Sequence, residues 1–478
     1  MSLLVQHPYL KTVRSIAKRK KVDIFIVGGL LRDQFIGRSG CDIDFAVSSD
    51  AISTARAFAR AIKGAFVLLD EEHPCGRVVK KEKGQLYTFD FADFRAKTIA
   101  QDLSLRDFTV NALCLNLKDI DDEKWSTKII DQQGSLNDLK NKTVRMVAAR
   151  AFKDDPLRLM RAFTLFAQYG FKIEAKTLAQ MKKDVTLISR VSMERIREEW
   201  FKVLASVRTV ETIKLMQRVG LLDRVMPQLG VMRGVHQGGY HHLDVWEHTL
   251  EVVRQFELVT VEIKDEFIKA YLQEEIAGGH KRYALIKFAC LLHDIGKPQT
   301  KKEEEKGRMS FHSHEHVGAG IARHVAKQLK LSVKERYFLE DAVRWHLRPG
   351  YLSNFKKPSE RMIFRYLRDT KEEALSVLLL ALADQRATCG KLTTADKTEH
   401  HRQTCWIVIK RFIDAKNKKP LERLLTGTDL IKKLKLKPSP LFAKILSEVQ
   451  EAQALGKIAT AQDALKLAKQ MALKDKKE

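Results

Sequence analysis

Cysteine is thinly spread in this chain. Six occur among 478 residues (Cys41, Cys75, Cys114, Cys290, Cys389 and Cys405), and no two stand as C-x-x-C. That scatter excludes a disulfide framework and a cysteine-built zinc cluster, and it fits a reducing cytoplasm as the expected location. Long apolar runs are also missing. None approaches the roughly 20 residues that cross a bilayer, so no membrane partner is expected. The N-terminal MSLLVQHPYLKTVRSIAKRKK is basic but lacks the apolar core and cleavage site of a signal peptide. Acid is short against base, 60 Asp+Glu to 86 Lys+Arg, for a formal charge of +26. Such an excess argues against small neutral metabolites and for a polyanion, RNA or DNA first. The length suffices for roughly two to four domains with cores of their own.

What is present is organised around Val22 to Val47, VDIFIVGGLLRDQFIGRSGCDIDFAV. An apolar run ends in Gly28-Gly29, a short helical stretch follows, and a second apolar run carries Asp42 and Asp44. A strand points residues i and i+2 to one face, so the two carboxylates stand side by side while Ile43 and Phe45 enter a core. Adjacent carboxylates call for a cation, and Mg²⁺ is the hard, oxygen-seeking one used where phosphates are handled. The Gly-Gly turn lets a triphosphate approach the backbone. Arg32 adds a fixed positive fork.

In this order and spacing the stretch resembles the nucleotidyltransferase superfamily of DNA polymerase β, and more closely its bacterial CCA-adding enzymes and poly(A) polymerases. Their head motif, G-G-x-V-R-D-x-L-L-G-R then D-x-D, stands here as Gly28-Gly29-Leu30-Leu31-Arg32-Asp33, Gly37-Arg38 and Asp42-Ile43-Asp44. The strand Leu86–Phe91 brings Asp90 as a candidate third carboxylate; the alternative is that Asp90 or Asp93 merely ends the strand. Asp102 to Ala112, DLSLRDFTVNA, resembles D-L-x-R-R-D-F-T-x-N-A, which handles ribose and triphosphate. Arg106, Asp107 and Asn111 match it, and Leu105 replaces one Arg. Asp131 to Leu139 resembles the linker from head to neck. Full CCA-adding members carry a longer insert before Asp102, whereas a shortened loop accompanies CC-adding members. Here little more than Lys97 to Gln101 intervenes, so the resemblance implies CC addition completed by a separate A-adding enzyme.

From Val144 the chain is expected to be almost entirely helical. Asp154-Asp155-Pro156-Leu157-Arg158 resembles the E-D-x-x-R motif, with Pro156 in a first helical turn. Asp155 and Arg158, about one turn apart, would accept from and donate to the Watson–Crick edge of a base in place of a nucleic-acid template. The rival for the pair is an i,i+3 surface ion pair. Thr164 stands where a neck Arg is common. Ser192 to Leu204 resembles S-x-E-R-I-R-x-E, with Arg195 and Glu199 expected to fix neck geometry.

The second half resembles the HD metal-dependent phosphohydrolase superfamily, through YHHLDVWEHTLEVV, CLLHDIGKP and LLLALADQR. The resemblance implies His248, His293, Asp294 and Asp384 as ligands of a divalent metal. His314 and His346 are implied for a second, and Lys297 for phosphate. Within HSHEH (312–316), His314 is chosen because H-E precedes Gly318-Ala319. The basic tail offers Lys432, Lys433, Lys435 and Lys437 to RNA.

The expected fold is therefore an α/β nucleotidyltransferase head (polymerase β-like mixed sheet with helices), then an all-α neck, an HD domain and a helical tail. The boundaries are 1–143, 144–230, 231–415 and 416–478. The expected function is template-independent addition of C, as CC, to the tRNA 3′ end from CTP by a two-metal mechanism. Asp42, Asp44 and Asp90 would be catalytic, and Gly28, Gly29, Arg32, Arg106, Asp107, Asn111, Asp155 and Arg158 would bind the nucleotide. Full CCA or A addition with ATP and poly(A) synthesis stay open. So do an HD phosphohydrolase acting on cyclic phosphates or nucleotides beside an impaired head, and a non-catalytic RNA-binding module.

Overall fold

The computed structural model describes residues 7–122, 124–239, 241–304, 308–418 and 421–475. It divides into two compact units, Met1–Val225 and Met226–Glu478.

In the first unit, helix α1 (Leu10–Lys20) precedes the sheet. One helix over residues 1–20 is expected from the sequence; the structure begins it at Leu10, and residues 1–6 lie outside those described. Six strands form one sheet: β1 (Ile24–Val27), β2 (Asp42–Val47), β3 (Ala65–Asp70), β4 (Cys75–Glu82), β5 (Gln85–Asp93) and β6 (Cys114–Asn116). Their order is β3-β4-β5-β2-β1-β6, with β2 and β5 parallel and the other neighbours antiparallel. This is the expected mixed sheet. The β4–β5 hairpin turns at Lys83-Gly84, both at positive φ (48° and 80°), a turn that suits the right-handed twist of paired strands.

The strands alternate. Ile43, Phe45, Phe89 and Phe91 are buried on one face, where Phe45 stacks on Phe91 at 4.7 Å. Helix α3 (Ala51–Ile62) adds Phe58, edge-on to Phe89 at 4.9 Å. Each such ring contributes about 2–3 kcal/mol of burial. The opposite face carries Asp42, Asp44, Thr88 and Asp90. The side chain of Asp50, which immediately precedes α3, does not cap it. Asp50 instead binds Lys20 at 2.8 Å, and the Ala51 N–H is capped by Asp93 at 2.9 Å. Asp93 is thus a helix cap and Asp90 the residue in line with Asp44.

Helix α2 (Gly29–Phe35) fills the β1–β2 connection, and α4 (Ile99–Ser104) and α5 (Ser135–Lys140) follow β5 and β6. Then come α6 (Ala151–Asp154), α7 (Arg158–Tyr169), α8 (Ala175–Asp184), α9 (Met193–Leu204), α10 (Thr209–Arg218) and α11 (Leu221–Val225). Pro156 lies in the break between α6 and α7 and not inside a helix, because Asp155 is extended (φ −146°). The Ser192 side chain makes no capping hydrogen bond to α9. A two-residue parallel pair, Thr143–Val144 with Lys172–Ile173, interrupts the helices.

Among its described residues the second unit is helical apart from two short antiparallel strand pairs, Glu275–Ala277 with His280–Lys281 and Lys302–Glu304 with Arg308–Ser310. Its helices are α12 (Val245–Glu262), α13 (Glu266–Gln273), α14 (Arg282–Leu292), α15 (Lys297–Thr300), α16 (His314–Gln328), α17 (Val333–Trp345), α18 (Arg348–Leu352), α19 (Glu360–Thr370), α20 (Ala374–Ala387), α21 (Ala395–Lys416), α22 (Gly427–Leu434), α23 (Pro440–Ala454) and α24 (Ala461–Asp475). Helix α20 is apolar all round and buried from Ala374 to Ala383, which makes it the axle of the unit. Helices α22–α24 enclose their own core of Leu425, Leu430, Ile445, Val449, Ala464 and Ala468. Arg361 and Arg365 of α19 clasp the buried Glu451 of α23. Among the described residues no helix is long and apolar enough to cross a membrane.

Candidate functional site

The acid face of the first sheet floors a cleft of about 690 Å³ lined by β1–β2, by 95–111 and by α7 and α9. The parallel register sets Asp42 beside Thr88 and Asp44 beside Asp90. The Thr88 hydroxyl donates to Asp42 Oδ1. Asp44 is open to the cleft yet enclosed on most sides. That enclosure, and then the charge of Asp90, raise its carboxyl pKa against the pull of Arg106 and Arg161. Asp42 and Asp44 offer carboxylate oxygens from one partly walled face of the cleft, and such a pair fits a divalent cation. Asp90 itself is held by Arg77, whose Nε and Nη2 each donate to one of its oxygens at 2.7 Å. Gly28 sits at φ 72°, and a Cβ there would stand 3.3 Å from Asp44 and 3.5 Å from Arg106. Glycine keeps that corner open.

Arg32 is buried. It donates to Asn111 Oδ1 at 2.7 Å, Tyr169 OH at 2.5 Å and Asp33 Oδ1 at 2.8 Å, and lies 4.2 Å over the Tyr169 ring. Asn111 donates to Asp107 at 3.2 Å, and Asp107 pairs with Arg161 at 2.8 Å. Burial alone would raise Asp107, but the Arg161 charge and the Phe108 N–H outweigh it and hold the carboxyl below its ordinary range. Arg106 reaches the buried Asp102 at 3.2 Å.

Asp155 and Arg158 both line the cleft but do not pair. Asp155 binds Arg195 at 3.0 Å, which removes the i,i+3 ion pair as a reading. Arg158 donates to the carbonyls of Leu105 at 2.8 Å and Arg106 at 3.3 Å. Arg195 and Glu199 likewise part company. Glu199 accepts from the Thr164 hydroxyl at 2.5 Å and binds Lys202 at 2.8 Å. Arg77, Thr88, Arg161 and Tyr169 escaped the sequence reading. Only Arg161 carried a signal, standing i+3 from Arg158 on one helix face.

In the second unit the five helices α12, α14, α16, α17 and α20 converge. His248 comes from α12, His293-Asp294 from the end of α14, His314 from the first turn of α16, His346 from just beyond α17, and Asp384 from α20. They form two groups, His248–His293–Asp384 and Asp294–His314–His346, each with ligand atoms within 4.8 Å of one another. Among the described residues no other three such side chains close to this extent. Asp294 joins the groups: Oδ2 is 3.1 Å from His293 Nε2 and Oδ1 is 3.3 Å from His314 Nε2. His293, His314 and His346 point Nδ1 at the carbonyls of Cys290, Phe311 and Val343 at 2.8, 2.8 and 2.6 Å. A carbonyl only accepts, so Nδ1 carries the proton and the Nε2 lone pair faces inward, as a metal ligand must.

The inward-facing imidazole nitrogens, with the Asp294 and Asp384 oxygens among them, make a donor set that fits one or two divalent metals. Burial, and then His293 and His314, push His346 down to about 3, which favours the neutral ligand form. Lys297 binds Asp294 at 2.7 Å and Gln237 at 2.6 Å. His241, 4.5 Å from the His248 ring, also lines this site; neither it nor Gln237 was singled out from sequence. His312 and His316 stay outside the groups, His312 being 82% exposed in its side chain. Gly296 has no room for a side chain, since a Cβ would stand 2.2 Å from the His314 carbonyl oxygen and 2.7 Å from Gly318 N.

Of the tail lysines, Lys432 and Lys433 lie in the last turn of α22, Lys435 ends it at φ 53°, and Lys437 follows. All four are exposed, and Lys433 is paired with Asp429 at 2.9 Å.

Four family models match along the chain: the Poly A polymerase head domain over 24–145, the "Probable RNA and SrmB- binding site of polymerase A" over 170–232, the HD domain over 245–388, and tRNA nucleotidyltransferase domain 2 over 362–468. The A-adding tRNA nucleotidyltransferase of Deinococcus radiodurans is 31% identical over 448 residues, 92% of this chain and 93% of that one. The CC-adding tRNA nucleotidyltransferase of Thermus thermophilus is 30% identical over 451 residues, 92% of each chain. The fold is similar to that of a Thermotoga maritima CCA-adding enzyme solved with tRNA (TM-score 0.58, 18% identity, 97% of each chain). It is also similar to a CCA-adding enzyme solved with CTP (TM-score 0.61, 18% identity, 97% and 96% covered). An identity of this size, sustained across nine-tenths of both chains, places the protein in the CCA-adding enzyme family of tRNA nucleotidyltransferases that carry an HD domain.

Proposed function

We propose that this tRNA nucleotidyltransferase adds C, as CC, to the tRNA 3′ end from CTP, and that a separate A-adding enzyme completes the product. The observation that carries the nucleotidyl-transfer reading is a single cleft with Asp42 and Asp44 on its floor and Asp155 and Arg158, at the start of α7, on its wall. The short connection from Asp93 to Ile99 supports C over A. Magnesium, held by Asp42 and Asp44, would acidify the RNA 3′-hydroxyl and offset charge on the departing pyrophosphate. The chain supplies the rest. Gly28 leaves space for phosphate against the backbone, Arg106 and Arg161 provide positive walls, and Asn111 fixes Arg32. Asp155 accepts from an exocyclic amine, and Arg158 exchanges its carbonyl contacts for the base edge. The lysines after Thr426 meet RNA backbone. Head, neck, HD domain and tail are read over 1–143, 144–230, 231–415 and 416–478.

The two histidine-bearing groups support a second activity, metal-dependent phosphoester hydrolysis, with Lys297 on the phosphate. Transcripts ending at the discriminator base, at C and at CC, given CTP and ATP separately and together, test both readings. Growth that stops at CC is expected. Growth to CCA, or A added only to the CC end, replaces the C-adding reading with one of its two alternatives. Asp42→Ala should abolish extension and spare hydrolysis, and Asp294→Ala the reverse.

A further inference from the structure

One side chain in the head cleft has no place in that account. Arg77, on β4, stands in register with Asp90 on β5, which stands in register with Asp44 on β2. The three form one row across the sheet, on the face that carries Asp42 and Thr88. Arg77 donates to both Asp90 oxygens at 2.7 Å, and Asp90 does not line the cleft. The Arg77 side chain is 43% exposed and does line it. The bidentate geometry makes this a firm pair for a half-exposed site, so only an anion that offers the guanidinium an equally good two-oxygen edge can take the place of Asp90. A guanidinium fork fits a phosphodiester as well as a carboxylate.

We infer that Arg77 is a positioning residue that senses the RNA primer: it moves from Asp90 to the 3′-terminal phosphodiester, and so frees an Asp90 oxygen to accept a hydrogen bond from the terminal hydroxyl. The inference rests on the nucleotidyl-transfer reading and names how that site recognises its RNA. Until RNA is bound, the third acid is neutralised by its neighbour, and the nucleotide waits in a cleft whose acid row is incomplete. Arrival of the correct end completes it.

The test uses the full chain with Arg77→Met, Arg77→Lys, Asp90→Asn and the Arg77→Met/Asp90→Asn double variant. Binding of a tRNA transcript ending in C is measured in EDTA without nucleotide, across a salt series, and CTP binding is measured separately. Arg77→Met should weaken RNA binding about tenfold and lower the salt slope by about 1, with CTP binding within about twofold of wild type. Arg77→Lys should keep most of the RNA affinity, since it retains the charge. At saturating RNA and CTP, Arg77→Met on the Asp90→Asn background should cost no further rate, because the arginine acts through that carboxylate. Unchanged RNA affinity in Arg77→Met, or rate losses that multiply in the double variant, would overturn the inference. Failure of the wild type to extend any transcript would instead sink the proposed function, while the RNA-binding arm still judges Arg77.

Discussion

Arg161→Met tests the electrostatics of the cleft directly. Asp107 is 6% exposed in its side chain, and Arg161 is its charge partner at 2.8 Å. Breaking a buried pair from one side costs about 3–5 kcal/mol. Two features reduce that here. Asp107 keeps the Phe108 N–H at 2.7 Å and the Asn111 amide at 3.2 Å, and the Arg161 side chain is nearly half exposed. A loss of about 2 kcal/mol at neutral pH is expected. Its pH dependence is the sharper readout. In the wild type the Asp107 pKa is depressed, so the pair contributes fully above the unfolded value of about 3.9 and is lost as pH falls through the folded one. In the variant the Arg161 charge no longer opposes burial, while the Phe108 N–H, the Asn111 amide and Arg158 still do, so the folded pKa rises from its wild-type position. The penalty is then full at neutral pH and relieved as pH falls through the variant's value. The gap between the two proteins should therefore narrow as pH falls from about 7 through the carboxylate range. Amide hydrogen exchange over residues 7–225 isolates the first unit from the second. A gap that stays flat over this range would refute the reasoning. So would an Asp107→Asn background on which Arg161→Met still costs about 2 kcal/mol.

Asp131 accepts from the N–H groups of Gln133, Ser135 and Leu136 at 3.2, 2.7 and 3.0 Å, closing the turn into α5. Asp131→Ala should destabilise the first unit by about 1–2 kcal/mol, a midpoint shift of about 2–8 °C by calorimetry. His314→Ala removes a ligand from one metal group and leaves His248, His293 and Asp384 in place. Equilibrium dialysis against Mn²⁺ should show a lower stoichiometry with one tight site retained, and loss of all binding would contradict two groups.

Motif order announced the head, because glycine pairs and alternate acids leave a local mark. The side chains of the two histidine groups were also legible one by one and as two sets, although the division that puts Asp294 with His314 and His346 was not. That division depends on which Asp294 oxygen faces which histidine, a matter of helix crossing and not of spacing. Arg77 was invisible for a similar reason: its partner Asp90 lies across a hairpin, and only strand register aligns them. The cap of α3 is hidden in the same way: Asp50 is the acid next to the helix in sequence, while the Asp93 that caps it arrives through the sheet. Asp155 and Arg158 show the limit of helical spacing as an argument, since a break at Asp155 turns it toward Arg195.

Gly296 sets a clearance. With backbone against backbone between the HD turn and the start of α16, the distance from Asp294 to His314 is fixed by main-chain thickness and not by side-chain packing. Side chains can re-pack around a lost methyl group; a main-chain contact has nothing left to yield. A side chain at position 296 would therefore part α16 from the HD turn and draw His314 away from Asp294.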